Sequence, residues 1–345
     1  MMSTENLKVG VVGLGILGTR YARVFSENTR TKLKAVSDIN IEKAIRIADD
    51  YSINAYDITD DMLNRENLDA VAIATPDHAH SEIILYALKN DLHVIVEKPL
   101  TTDTESAKKV ITVAEQTNRI VMVNYSQRFV TDHLWIKNKI EEGAIGKPHM
   151  VQSEKFDTIF VPTKMISWAE NTSPFFFMTS HDLDLICWFL DTKPTEVYAQ
   201  EVNDVLKSKG IDIHDGVQAI IRFETGASAS FHSSWIHPKT YPAIAGGSLE
   251  IIGSEGFIRY SMINREINMY TGETSLKVQF DGIHTADEKN GQIEGAFPKS
   301  INHFLDMIEK DEDPIISAKN TLHVTLAQCA AMQSIKENKP IQIYK

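Results

Sequence analysis

The chain predicts an α/β fold class in two parts, a doubly wound parallel sheet followed by an α+β domain with a large, mostly antiparallel open sheet. Three observations carry this. With 345 residues, 43% of them apolar and 24% charged, the chain is long enough for two domains that each bury a core. From Leu7 to Asn124 short apolar runs alternate with helical periodicity, as when strands buried on both faces are wrapped by helices. After about Tyr125 the strands alternate polar with apolar residues, the mark of a sheet with one wetted face. The expected division is therefore 1–124 for the first domain and 125–345 for the second.

In chain order, Leu7–Val12, Leu33–Ser37, Ala70–Ala74 and His93–Val96 read as strands, and Ile120–Asn124 as a fifth. Thr102 with Glu105 three residues on is a capping box ahead of Val110, Ile111 and Ala114, so a helix is expected to start there. Ser173-Pro174 reads as an N-cap and first helical residue. In the second part, strands are expected at Val197–Val202, Val217–Phe223, Ala227–Ser233, Ser248–Gly253, Phe257–Tyr260, Glu266–Tyr270 and Leu276–Phe280. Ile301–Ile308 and Asn320–Ile335 return to helical spacing, and the tract Gly282–Gly295 has charges without a period. One face of the open sheet can seal a subunit interface.

The composition excludes several function classes. Thirty-five Lys plus Arg against 47 Asp plus Glu leave a net charge of −12, which repels nucleic acid and anionic lipid. Cys187 and Cys329, the only two cysteines, read as small core residues of a reducing compartment. Met1–Asn6 lacks the basic and apolar regions of an export signal, and no apolar run approaches the roughly 18 residues that span a bilayer. A cytoplasmic protein is expected.

Gly13-Leu14-Gly15-Ile16-Leu17-Gly18 follows the first strand directly and opens a helix. In that context the glycines are a dinucleotide fingerprint: Gly13 permits the turn, Gly15 the approach of a pyrophosphate, and Gly18 close packing of helix on strand, while the amides at Ile16 and Leu17 face the phosphates. Asp38 ends the second strand roughly twenty residues on, where a carboxylate accepts both ribose hydroxyls and repels a 2′-phosphate. NAD is expected rather than NADP. Thr75, Pro76 and His80 follow the third clear strand and are expected to line the cofactor cleft, although His78 and His80 read equally well as capping or packed groups. Glu97-Lys98-Pro99 ends the next strand, and a lysine there lies beside the nicotinamide, whose charge favours its proton loss as a general acid/base.

Gly13–Gly18, Asp38, Ala74-Thr75-Pro76-Asp77 with His80, and His93-Val94-Ile95-Val96-Glu97-Lys98-Pro99-Leu100 together resemble the Gfo/Idh/MocA family of nicotinamide-dependent oxidoreductases. Arg128, His181-Asp182-Leu183-Asp184 with Trp188, Ser234-Trp235 and Gly253-Ser254-Glu255-Gly256 extend the likeness over nearly the whole chain. The resemblance implies a Rossmann domain, a C-terminal domain that binds substrate and builds homodimers or homotetramers, and hydride transfer at a sugar, cyclitol or related polyol hydroxyl. It also matches Lys98 to the lysine that exchanges a proton with the substrate oxygen, and His181 to the histidine that positions that oxygen. Family members with a full catalytic triad carry Asp four residues before the histidine, and here that residue is Phe177.

Asp184, three residues past His181 on one helix face, is expected either to orient the imidazole or to pair with a neighbouring element. Thr179 and Ser180 are candidate hydroxyl donors in place of the absent carboxylate. Arg128, Lys155, Trp168, Phe177 and His181 are the candidate substrate contacts; Arg128 reads equally as a bridge between domains, and Trp235 as core. Adjacent residues on a helix diverge, so His181, Asp182 and Asp184 do not form a metal site, and no metal is expected. Two alternatives stand beside the dehydrogenase: a lyase or glycosidase that uses retained NAD for internal redox, and a non-catalytic nucleotide-binding regulator.

Overall fold

The computed structural model describes residues 6–281 and 284–344. Met1–Glu5, on which the reading of the N-terminus rests, and Gly282 and Ile283 of the Gly282–Gly295 tract lie outside the described residues. The chain forms two compact units, Met1–Ser126 with Thr285–Leu322, and Gln127–His284 with His323–Lys345. The sequence suggests a single cut after Asn124; Thr285–Leu322 instead returns to the first unit, where Phe297 packs on Tyr21 (ring centroids 4.7 Å apart) and Ser300 donates to Asn124 at 2.7 Å.

In the first unit, β1 (Leu7–Val12), β2 (Thr31–Ser37), β3 (Asn54–Tyr56), β4 (Ala70–Ile73), β5 (His93–Val96) and β6 (Val121–Val123) form one parallel sheet in the order β3-β2-β1-β4-β5-β6. The crossovers are α1 (Ile16–Glu27), α2 (Ile41–Tyr51), α3 (Thr59–Arg65), α4 (His80–Lys89) and α5 (Thr104–Thr117). Val9, Val11, Ala35, Val36, Ala72, Ile73, Val94 and Ile95 are completely buried, which is why these strands carry little polar alternation beyond Lys32 and Lys34 at the start of β2. The three-residue β3 is too short to leave a pattern. The capping box is corrected: Asp103 caps α5, its carboxylate accepting from the Ser106 amide at 2.7 Å, so the helix starts one residue later than Thr102 and Glu105 imply.

The second unit opens with α6 (Thr131–Glu141), β7 (Pro148–Thr158), α7 (Pro174–Phe177) and α8 (Thr179–Phe189). It continues through β8 (Pro194–Val202), β9 (Gly216–Phe223), β10 (Ser228–His237), β11 (Ala245–Gly253), β12 (Gly256–Ser261), β13 (Glu266–Thr271) and β14 (Ser275–Gln279). Beyond β14 come a small hairpin, β15 (Asp287–Lys289) and β16 (Gln292–Glu294), then α9 (Ala296–Lys310), α10 (Ala318–Glu337) and β17 (Ile341–Gln342). Nine strands make one sheet, β14-β13-β12-β11-β7-β10-β9-β8-β17, antiparallel except between β7 and β10. In β9, Val217, Ala219, Ile221 and Phe223 are buried while Gln218, Ile220 and Arg222 are exposed. Met150, Ile220 and Tyr270 stand on the uncovered face.

The sequence reading omits β7, the strand in the middle of this sheet. Its covered side carries Val151, Ser153, Lys155 and Asp157, so polar residues occupy both faces and the alternation disappears. A central strand that breaks its pattern in this way is a place to look for function. Ser173 caps α7, accepting from the Phe176 amide at 3.2 Å, with Pro174 at the first helical position as expected.

Candidate active site

In the first unit β1 runs into Gly13, whose φ of 80° and distance constraint both demand glycine: a Cβ there would lie 2.8 Å from the Ala74 carbonyl oxygen. A Cβ on Gly18 would meet the Gly13 oxygen at 1.7 Å, so helix and loop pack backbone to backbone. Gly15 differs, since its Cβ would face open space. No side chain caps α1 and no acidic residue stands in its first turn, which leaves the amides at Ile16, Leu17 and Gly18 suited to an anion.

Asp38 builds the loop as well as bordering it. One carboxylate oxygen accepts the Leu14 amide at 2.7 Å and the other the Asn40 amide at 2.9 Å, with the Lys43 ammonium 3.8 Å away. A carboxylate offers about four lone-pair sites, so capacity remains for two ribose hydroxyls. Ile39, beside it, is 97% exposed and presents an apolar surface next to the acidic strand end.

The loops after β4 and β5 are tied together by His80, which is buried with Nδ1 2.9 Å from the Pro99 oxygen and Nε2 3.0 Å from the Thr75 oxygen. Burial holds its pKa below the usual histidine value, against the pull of the two carbonyls. Both ring nitrogens face backbone carbonyls, and the neutral ring donates its single N–H to one of the two.

Glu97 is buried and accepts from the Tyr21 hydroxyl at 3.0 Å and the Asn124 amide at 2.9 Å, and Asn124 in turn accepts from Ser300. Burial pushes the Glu97 carboxyl up, against Lys98, Asn124 and Tyr21. This network pins the end of β5 to α1, β6 and α9, and Lys98 is the next residue, partly exposed. Tyr21, Asn124 and Ser300 lie far apart in sequence and carry no motif that would have disclosed it.

In the second unit α7 and α8 follow each other across Met178. From Thr172 to Cys187 every residue is buried except Phe177 and His181, which stand four apart on either side of the junction at Met178. The expectation that Asp184 orients His181 is corrected: its two oxygens accept from Arg128 Nε at 2.8 Å and Nη2 at 2.6 Å, with the guanidinium 5.6 Å from the Trp188 ring centroid. The alternative of a neighbouring partner holds instead. Asp182 accepts from Lys155 at 3.1 Å and Ser153 at 2.9 Å, so its carboxylate is committed to β7. Thr179 bonds to Ser233, and Ser180 is completely buried.

Phe177 meets Trp168 edge-on (centroids 5.7 Å apart) and lies 6.1 Å from the Trp235 ring, against a core of Ala169, Met178, Leu206 and Ile213. Trp235 is fully buried, its indole donating to the His214 carbonyl at 2.6 Å, in line with its expected core role. His181 is thus followed directly in α8 by Asp182, the partner of Lys155, and preceded four residues earlier by Phe177, which packs among aromatic rings.

Beneath α8 a small cavity is lined by His133, Lys155, Asp182, Ser248, Tyr260 and His284. Burial holds His133 down at about 3, with Nδ1 2.9 Å from the Gln127 oxygen. A histidine neutral when folded and near 6.5 when unfolded makes the unfolded chain bind more protons between those values. Stability is expected to fall as pH drops from about 6.5 toward 3, and His133→Gln to flatten that fall in urea midpoints measured at stepwise pH; an unchanged slope would refute the assignment. Among the described residues no group of three or more His, Cys, Asp or Glu is placed to hold a metal ion.

The family model described as the oxidoreductase family with an NAD-binding Rossmann fold matches residues 7–125, and the model of the GFO/IDH/MocA C-terminal domain matches residues 133–259. The chain belongs to the Gfo/Idh/MocA family. It is thus an oxidoreductase, and its first unit is the family's NAD-binding Rossmann fold. The chain is 23% identical to myo-inositol 2-dehydrogenase of Thermotoga maritima over 341 residues, 98% of each chain. It is 27% identical to inositol 2-dehydrogenase of Rubrobacter xylanophilus over 260 residues, 74% of this chain and 72% of that one. The crystal structure of scyllo-inositol dehydrogenase from Lactobacillus casei with NAD(H) and scyllo-inositol superposes with a TM-score of 0.81 at 22% identity, covering 99% of this chain and 100% of that one. This likeness supports the family fold across both units. Among the described residues no helix is long and apolar enough to cross a membrane.

Proposed function

We propose that the protein is an NAD-dependent dehydrogenase of a cyclic polyol or related sugar, acting on a CH–OH group in either direction. The observation that carries the reading is Lys98, a partly exposed lysine at the end of β5, braced by the buried Glu97 network in the unit that bears the dinucleotide loop. NAD supplies the hydride acceptor when bound. Gly13, Gly15, Ile16 and Leu17 hold its pyrophosphate, Asp38 its ribose, and Thr75, Pro76, His80 and Glu97 shape the strand ends that receive it. Open space at Gly15 and the uncapped α1 fit that group.

Oxidation of a carbinol also releases a proton, and Lys98 accepts it from the substrate hydroxyl. His181 holds the same oxygen by a hydrogen bond. Lys155, Trp168 and Phe177 border the substrate, and Arg128 acts through Asp184 by fixing α8. The second unit, 127–284 with 323–345, is the substrate-binding part, and its uncovered sheet face joins a second copy in a homodimer or homotetramer.

The decisive experiment follows nicotinamide absorbance with NAD and a panel of cyclitols, aldoses and polyols, and with NADH and the matching ketones. Turnover on a cyclic polyol is the expected result; silence across the panel from protein that binds NADH would refute the reading. For cofactor choice, Asp38→Ala is expected to lower the preference for NADH over NADPH at least about tenfold in kcat/KM, since it removes the like charge facing a 2′-phosphate. It also weakens both cofactors by freeing the Leu14 amide. An unaltered ratio would remove Asp38 from the ribose site.

A further inference from the structure

We propose that Phe177 and Trp168 form a specificity wall that selects a cyclic polyol bearing an apolar feature, a deoxy carbon or a methyl ether, beside the carbinol carbon. The inference rests on the polyol reading and refines its substrate class. Phe177 and His181 stand four apart across the α7–α8 junction and are the two residues from Thr172 to Cys187 that are not buried, so on this reading the ring position next to the oxygen held by His181 meets Phe177. The wall is not adaptable: Phe177 is fixed between Trp168 and Trp235 and packed on Ala169, Met178, Leu206 and Ile213.

Neither carboxylate on α8 substitutes for a polar group there. Asp182 is bonded to Lys155 and Ser153, and Asp184 to two nitrogens of Arg128, Nε and Nη2. A hydroxyl pressed against this wall loses its water without gaining a partner, whereas a methyl, methylene or C–H gains contact with an aromatic face. Loss of a single hydrogen-bond partner at a desolvated hydroxyl corresponds to a discrimination of about tenfold or more.

The test measures dissociation constants of the protein–NADH complex for myo-inositol and for its mono-O-methyl and monodeoxy derivatives, by NADH fluorescence, alongside kcat/KM for each. At least one apolar derivative is expected to bind about tenfold or more tighter than the parent, and Phe177→Asp to reverse the order, while Phe177→Leu keeps it. Equal or tighter binding of the parent by the natural protein overturns this inference and leaves the polyol reading standing. Absence of binding by every member, with NADH still bound, overturns both. Should Phe177→Asp not fold, the natural protein and Phe177→Leu decide the matter by the same ratio.

Discussion

Lys98→Met is expected to lower kcat about a thousandfold with little change in NADH affinity. General acid/base catalysis contributes typically 10²–10⁴-fold, and methionine keeps the length of the lysine stem while offering no group that takes a proton. The hydrogen bonds that brace β5 keep their partners, because Tyr21, Glu97, Asn124 and Ser300 bond among themselves, although the buried Glu97 carboxyl loses the Lys98 charge that opposes its upward shift. The loss should therefore fall on turnover and not on folding. A second readout separates chemistry from structure: the pH dependence of kcat/KM should lose the limb that belongs to the free enzyme's base, while a merely structural lysine would leave the profile intact. Near-natural turnover by Lys98→Met, with NADH fluorescence titrating as before, would assign the proton to another group.

The largest expected effect on stability is at the Arg128–Asp184 pair. Both side chains are buried, 8% and 1% exposed, and joined by two hydrogen bonds. Burial pushes the Asp184 carboxyl up, and the guanidinium opposes this. Removing one member strands a charge out of water, which costs about 3–5 kcal/mol, whereas replacing both by apolar groups is often near neutral. Asp184→Leu is thus expected to lower the urea unfolding free energy of the second unit by that amount, and Arg128→Met with Asp184→Leu to recover most of it. A single variant as stable as the natural chain would show that the pair bears no such load. Because α8 also carries His181 one turn earlier, Asp184→Leu should raise KM for substrate more than for NADH.

Much of this was legible in the residues. The parallel strands could be read because burial on both faces leaves runs of Val, Ile and Ala, and the glycine loop because only glycine accommodates a positive φ against the Ala74 carbonyl. The second sheet is legible in most strands with one face in water, but not at β7, where Ser153, Lys155 and Asp157 turn inward, nor at β17, whose two residues are too few to carry a pattern. The capping of α5 differed by a single residue because Asp103 and Thr102 are both good caps and local sequence does not choose between them.

Fold class, dinucleotide loop, acidic strand end and the strand-end lysine are local: each depends on neighbours in sequence and on backbone geometry that those neighbours dictate. Partnership is not local. That Asp184 serves Arg128 and not His181, that Asp182 serves Lys155, that Tyr21 and Ser300 brace Glu97, and that Thr285–Leu322 returns to the first unit all depend on groups 27 to 176 residues apart meeting in space. A carboxylate on a helix tells which face it occupies; which cation waits there is decided by packing, since burial makes the nearest fully satisfied pairing the only inexpensive one.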